Sequence, residues 1–321
     1  TVLVDLVSLG PGALLGVDVG GGIVRFDGTS WSRIEAESPG PVRRVRVGRR
    51  DALVADDDGG QLWRFDGTAW TTLATTSPER LSRQWIDPRG FGFAFGPDGR
   101  MAQLHGGEWT EISSGPRGDL EGVWISSDGD GWAVGRDGTY DCSSADGSAR
   151  VECGIVLRSD GARWTVADTG RHPMLTDVWG TGRSDVFAVG IEGLVLHFDG
   201  SSWTRQDSGT TQSLYGVWGT GPRDVFAVGA RGTVLHYDGR RWSAQQSGVS
   251  ENLMALSGRG SRDVVAVGMA GTIVRYDGRS WRPLASGTSS YLYGVLGSVR
   301  EGALAATAEG RVLGYDGTTW T

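Results

Sequence analysis

The stretch HFDGSSWTRQDSG, residues 197–209, returns thirty-nine residues later as HYDGRRWSAQQSG and once more as RYDGRSWRPLASG. Self-similarity at a fixed period decides a fold class before any local propensity does. Followed through the chain, the phrase ends on Trp31, Trp70, Trp109, Trp164, Trp203, Trp242, Trp281 and Trp320, eight copies of which six of the seven spacings are thirty-nine residues. The exception, Trp109 to Trp164, is fifty-five residues, which places a sixteen-residue insertion in the fourth copy. Seven copies carry an aspartate four residues before the tryptophan: Asp27, Asp66, Asp160, Asp199, Asp238, Asp277 and Asp316. The third has His105 there.

Each copy holds four short apolar or β-branched runs separated by Gly, Pro and Asp. In the sixth copy these predict strand a at Leu214 to Trp218, b at Val225 to Val228, c at Thr233 to Tyr237 and d at Trp242 to Gln246. No stretch shows a capped helical period of ten residues or more, so the class is all-β. Four-stranded antiparallel units of about forty residues, repeated several times, build a β-propeller, whose ring protects the sheet edges that a linear solenoid would expose. The expectation is a single domain over 1–321, an eight-bladed β-propeller of four-stranded antiparallel blades. Its last blade should be incomplete, because Trp320 is followed by one residue only. The first residue is Thr and not Met, so the chain reads as a mature or trimmed form.

The Asp-Gly pair falls between strands c and d, where Asp can accept backbone N–H bonds and Gly supplies a positive φ. The tryptophan that follows should anchor each blade on its neighbour. Leu3, Val42, Leu81, Leu120, Leu175, Leu214, Leu253 and Leu292 share one position in strand a and should be core.

The phrase GTVLHYDGRRW resembles the bacterial BNR or Asp-box class of propeller repeats, in which an Asp-x-Gly-x-x-Trp turn joins the third and fourth strands. Asp and Gly are adjacent here, as in FDGTSW and YDGTTW, so the chain is Asp-box-like. The longer phrase GVWGTGPRDVFAVGARGTVLHYDG is also similar to repeats of secreted and surface proteins of myxobacteria. The resemblance covers all eight copies and implies a repeat-built propeller of the cell exterior.

Composition narrows the function. A formal charge of −7 argues against nucleic acid as a partner, and no apolar run approaches the ~20 residues of a membrane span. All thirty-one Lys-plus-Arg residues are Arg, which removes amine-based chemistry. The basic run VRRVRVGRR reads as a strand with a solvated face. A sialidase-like glycosidase needs an asymmetric cluster of arginines, a nucleophile and an acid. Carboxylates here mostly occupy repeated turn positions, so no catalytic residue is assigned. His105, His172, His197 and His236 lack ligand spacing. SSDGDGW (126–132) starts like a calcium loop, but Asp130 aligns with Asp185, Asp224 and Asp263 at the start of strand b, which leaves calcium a minor alternative to no cofactor at all.

Structural demands in a closed array are shared by every unit, so a local exception needs a local cause. TYDCSSADGSARVECG (139–154), between strands b and c of blade four, holds the two cysteines of the chain, Cys142 and Cys153. Its centre carries an Asp-Gly turn signal that could close a hairpin and bring both Cα atoms within bridging distance. A disulfide places the protein outside the cytoplasm: secreted, periplasmic or at the cell surface. Further exceptions are Asp56, Asp57 and Asp58 in the b–c turn of blade two, and the prolines of the early d–a connections. In a four-strand meander the b–c and d–a connections share one face. Asp56, Asp57, Asp58, Tyr140, Asp141, Asp146, Arg150 and His172 are therefore the candidate binding residues. The chain reads as a monomeric binding or scaffold module for a protein or glycan, with a glycosidase or a multivalent lectin as alternatives.

Overall fold

A computed structural model describes residues 3–10, 13–18, 23–26, 30–33, 44–47, 53–56, 62–65, 70–74, 83–86, 92–95, 100–105, 108–113, 118–126, 130–143, 150–160, 164–168, 171–298, 302–308, 312–315 and 319–320. The chain is an all-β, multi-bladed propeller. Among the described residues it forms eight antiparallel sheets, seven of four strands in the order a, b, c, d and one of three in the order a, b, c. Two compact parts are present, 1–113 with 309–312 and 114–308 with 313–321.

The first part contains the sheets of repeats one to three. Their strands a are Leu3–Gly10, Arg44–Val47 and Arg83–Ile86, and their strands d are Trp31–Arg33, Trp70–Ala74 and Glu108–Ser113. Val42 and Leu81 lie outside the described residues.

In the second part repeat six shows how sequence becomes sheet. Strand a runs Leu214–Gly221, b Asp224–Gly229, c Val234–Tyr237 and d Trp242–Gln245, within three residues of the boundaries expected from the turn residues. Repeats five and seven match it, with strands a at Leu175–Gly182 and Leu253–Gly260 and strands d at Trp203–Gln206 and Trp281–Leu284. Strand b lies inside its sheet and is covered on both faces, so it reads as an unbroken apolar run: Val225, Phe226, Ala227 and Val228 are each 0% exposed. Leu120, Leu175, Leu214, Leu253 and Leu292 are all buried, as their shared position in strand a requires.

The cores lie between blades. Phe187, Val189 and Val195 of repeat five share one apolar cluster with Leu214, Val225, Leu235 and Trp242 of repeat six, and the same arrangement joins repeats six and seven. The marker tryptophans Trp203, Trp242 and Trp281 reach strand b of the blade before them. Trp242 stands edge-on to Phe187 and Trp281 to Phe226 at 6.0 Å, and Trp203 to Trp132 at 5.0 Å. The indole N–H is served by the same neighbour. Trp242 Nε1 donates to Gln206 Oε1 at 2.8 Å and Trp281 Nε1 to Gln245 Oε1 at 2.7 Å. Where the preceding strand d has Ala167 or Leu284 instead, Trp203 Nε1 and Trp320 Nε1 are buried without an acceptor among the described residues.

The Asp-Gly turn behaves as its chemistry demands. Asp238 accepts the backbone N–H groups of Arg240 and Arg241 at 2.8 and 3.0 Å, and Asp277 those of Arg279 and Ser280 at 2.9 and 3.0 Å. Gly200, Gly239 and Gly278 sit at φ of +97°, +92° and +93°, where a Cβ is strained. Repeat eight has strands at Leu292–Ser298, Gly302–Thr307 and Val312–Gly314, and the place of its fourth strand holds a single bridge between Tyr315 and Trp320.

Candidate recognition site on the fourth repeat

Repeats five to seven connect strands b and c through a one-turn 3-10 element, Ile191–Gly193, Ala230–Gly232 and Met269–Gly271. Repeat four replaces this turn with an arm. Its strands b and c lengthen to Gly131–Ser143 and Arg150–Ser159, against six and four residues in repeat six. They stay paired into the insertion, with Asp141 opposite Glu152, Cys142 opposite Val151 and Ser143 opposite Arg150. The register breaks between Asp137 and Asp141, so residues 138–140 form a bulge that turns the outer arm relative to the blade.

Cys142 and Cys153 are joined across this bulge, with their Cα atoms 5.0 Å apart. Both bridged residues are buried, at 2% and 4%. The cover comes from the d–a connection into repeat five. Cys153 forms a β-bridge with Pro173, and Gly154 N–H donates to the His172 carbonyl at 2.8 Å. The contact needs the glycine: a Cβ on residue 154 would lie 2.5 Å from His172 Nδ1 and 2.6 Å from the Pro173 carbonyl.

The other strand of the arm is held by the connection into repeat four. Arg136 N–H donates to the Asp119 carbonyl at 2.8 Å, and its guanidinium bridges the carboxylates of Asp119 and Glu152, reaching Glu152 at 2.6 Å. The hydrogen bonds from Glu152 and Asp119 raise the Arg136 pKa further above its ordinary value, so this cation is permanent. The arm thus emerges clasped on both sides, by Asp119 and by His172–Pro173, on the face of the d–a and b–c connections.

Several candidate residues fall together here. Tyr140 belongs to the bulge, Asp141 and Arg150 to the paired strands, and Asp146 to the tip at 144–149, which lies outside the described residues, as do the side chains of Tyr140, Asp141 and Arg150. His172 serves from beneath: it is 8% exposed, and its Nδ1 lies 3.0 Å from the Pro173 carbonyl. Asp56 closes strand b of repeat two (Leu53–Asp56) in the other part of the chain, and Asp57 and Asp58 lie outside the described residues.

A polar network built on His197 and His236 occupies the opposite face. His197 Nε2 meets Asp185 Oδ1 at 2.7 Å and His236 Nε2 meets Asp224 Oδ1 at 2.7 Å, each ring stacked on Phe187 or Phe226. Burial works to raise the Asp185 pKa, and the hydrogen bonds from His197 and Thr181 overcome it, so the carboxyl titrates below its usual range. Arg275 beside Asp263 at 3.5 Å is the same device in repeat seven. The readable signal was an aspartate twelve residues before a histidine or arginine in successive repeats. Among the described residues no three His, Cys, Asp or Glu side chains gather as a metal site, while Asp128 of the calcium-like stretch lies outside them.

No protein-family model matches the chain, and no curated protein matches it in sequence. Many solved structures share its fold. Sqt1 of Saccharomyces cerevisiae superposes with a TM-score of 0.68 at 10% identity, over 98% of this chain and 95% of that one. YCF48 bound to a D1 peptide gives 0.59 at 13% identity over 86% and 93%, and YCF48 from Cyanidioschyzon merolae 0.55 at 16% over 86% and 95%. Virginiamycin B lyase from Staphylococcus aureus gives 0.56 at 10% over 88% and 93%. At these identities the likeness concerns the fold.

Proposed function

We propose that the chain is a non-catalytic binding module of the cell exterior, which engages a protein partner through the clasped arm of repeat four. The observation that carries this reading is the arm itself. Repeats four to seven share strand order and an apolar core between blades, and the arm adds nothing those shared features need. It is nevertheless fixed by a disulfide, by a two-carboxylate arginine and by a glycine contact that tolerates no Cβ. Fixing a loop in one shape lowers the ordering cost of binding, which is the gain such bracing offers a recognition element. A two-stranded arm also suits a protein partner, because strand addition to a sheet edge is one way proteins take up an extended peptide. That one propeller of this fold, YCF48, has been seen with a peptide is compatible with this reading. A disulfide is at home in an oxidising compartment, and the Asp-box-like repeats resemble those of secreted bacterial proteins.

The test compares the intact chain with a variant lacking residues 139–154, both immobilised and shown to be folded by their melting curves. Each is offered the secreted and surface proteins of the producing cells and, in parallel, a glycan array. The proposal expects a discrete protein ligand held by the intact chain and lost with the arm. The same proteins on both chains, or glycans alone on both, would count against it.

A further inference from the structure

The opposite edge of repeats six and seven carries charge that the overall balance hides. Although the chain is formally −7, the a–b and c–d turns of these two adjacent blades present Arg223, Arg240, Arg241, Arg262 and Arg279, and Arg259 stands at the end of strand a in repeat seven, all exposed. Arg275 and Arg282 stand behind them on strands c and d. The carboxylates nearby are Asp224, Asp238, Asp263 and Asp277, half as many as these eight arginines, and all four are already engaged. Asp238 and Asp277 accept the N–H groups of their own turns, Asp224 is held by His236 and Thr220, and Asp263 faces Arg275. Arg282 also pairs with Asp277, at 3.9 Å, while Arg223, Arg240, Arg241, Arg262 and Arg279 are exposed at the turns.

Their placement is partly preset. The Arg223 stem lies against Gly239, where an added Cβ would come 2.5 Å from Arg223 Cγ, and Arg262 lies against Gly278 in the same way. Each a–b arginine is thereby brought beside the c–d turn that carries Arg240 and Arg241, or Arg279. Facing sheets stand ~10 Å apart, so successive blades repeat the charged group at about that spacing. The turns contain no aromatic side chain on which a nucleobase could stack and no apolar residue larger than Pro222 that could enter a lipid layer. Planar guanidiniums with paired N–H groups suit the oxygens of sulfate and carboxylate.

We infer that this edge binds a linear polyanionic polysaccharide, sulfated or carboxylated, laid across the turns of repeats six and seven. Elsewhere the negative chain repels such a polymer, so it approaches in one orientation, and the contact is strongly dependent on salt because exposed charges are screened within ~8 Å at physiological ionic strength.

The probe is immobilised heparin, with surface plasmon resonance read on the full chain between about 50 and 200 mM salt. Retention at low salt that weakens steeply with salt is expected. The R223Q/R240Q/R241Q variant should bind about tenfold or more weakly with a shallower salt slope, since ion contacts are removed while the Asp238 turn, built on backbone N–H groups, is kept. R231Q, on the other edge, should bind as the parent does. Should the triple variant fail to fold, R262Q/R279Q makes the same test on the next blade. No retention of the full chain at low salt, undiminished binding by folded variants, or equal affinity for duplex DNA would overturn the inference.

Discussion

Changing Ala167 to Gln should stabilise the protein, although residue 167 is exposed and touches no core. The gain comes from the thirty-six-residue pairing between a strand d side chain and the next tryptophan. Gln206 and Gln245 accept the indole N–H groups of Trp242 and Trp281, whereas Trp203 Nε1 faces the position of Ala167 and is buried without an acceptor among the described residues. A buried unsatisfied donor costs about 1–3 kcal/mol, and a satisfied one contributes about 1 kcal/mol net. Ala167→Gln should therefore gain about 1 kcal/mol after its side-chain entropy is met, and Gln206→Ala should lose about 1–3 kcal/mol. For a chain of this size each kcal/mol moves the melting temperature by about 2 °C, so calorimetry should show a rise of about 2 °C and a fall of about 2–6 °C. The decisive arm is a cycle with Trp242→Phe, which has no N–H to orphan. Gln206→Ala should then cost a few tenths of a kcal/mol only. An equal cost in both backgrounds, or no gain from Ala167→Gln, would refute the pairing as an energetic feature.

Other consequences are direct. Thiol titration of the unreduced, denatured protein should find no free cysteine, and two titratable thiols would remove the staple from the arm. Gly154→Ala should disrupt the clasp, because the new Cβ would fall within 3 Å of the Pro173 backbone carbonyl; faster amide exchange at 152–156 and 172–174 is the readout, and unchanged exchange would show the contact to be loose. The Ser201 hydroxyl, with the N–H groups of Ser202 and Ser201, lowers the Asp199 pKa from 3.8 to about 2. A depressed folded-state pKa means that this turn's contribution is complete above 3.8 and is lost as the pH falls toward 2. Asp199→Asn should flatten that acid limb, and an unaltered pH–stability curve would contradict the assignment.

The period carried most of the fold into view. Eight tryptophans at near-constant spacing give eight sheets, the unbroken apolar run DVFAVG marks a strand covered on both faces, and Asp-Gly before Trp marks the turn whose bonds Asp199, Asp238 and Asp277 make. What stayed hidden were pairings between positions far apart in the chain. The Gln206–Trp242 bond lies thirty-six residues apart and across a blade boundary, and Asp185 with His197 joins strands that periodicity treats one at a time. The insertion and its two cysteines were legible, and so was their pairing. The burial of the bridge was not, because it depends on a bulge at 138–140 and on Pro173 folding back over Cys153. Arg136 was equally silent: nothing in its local sequence says that a carboxylate from each side would reach it.

The central claim is that the repeat supplies the frame and that the arm of repeat four makes the contact with a protein partner. Hydrogen–deuterium exchange on the full chain, with and without the protein ligand it captures, tests that claim most directly. Protection confined to residues 136–154 and to the supporting connection around His172–Pro173 is the predicted footprint. Protection centred on the turns of other repeats, with the arm exchanging as freely as before, would contradict it.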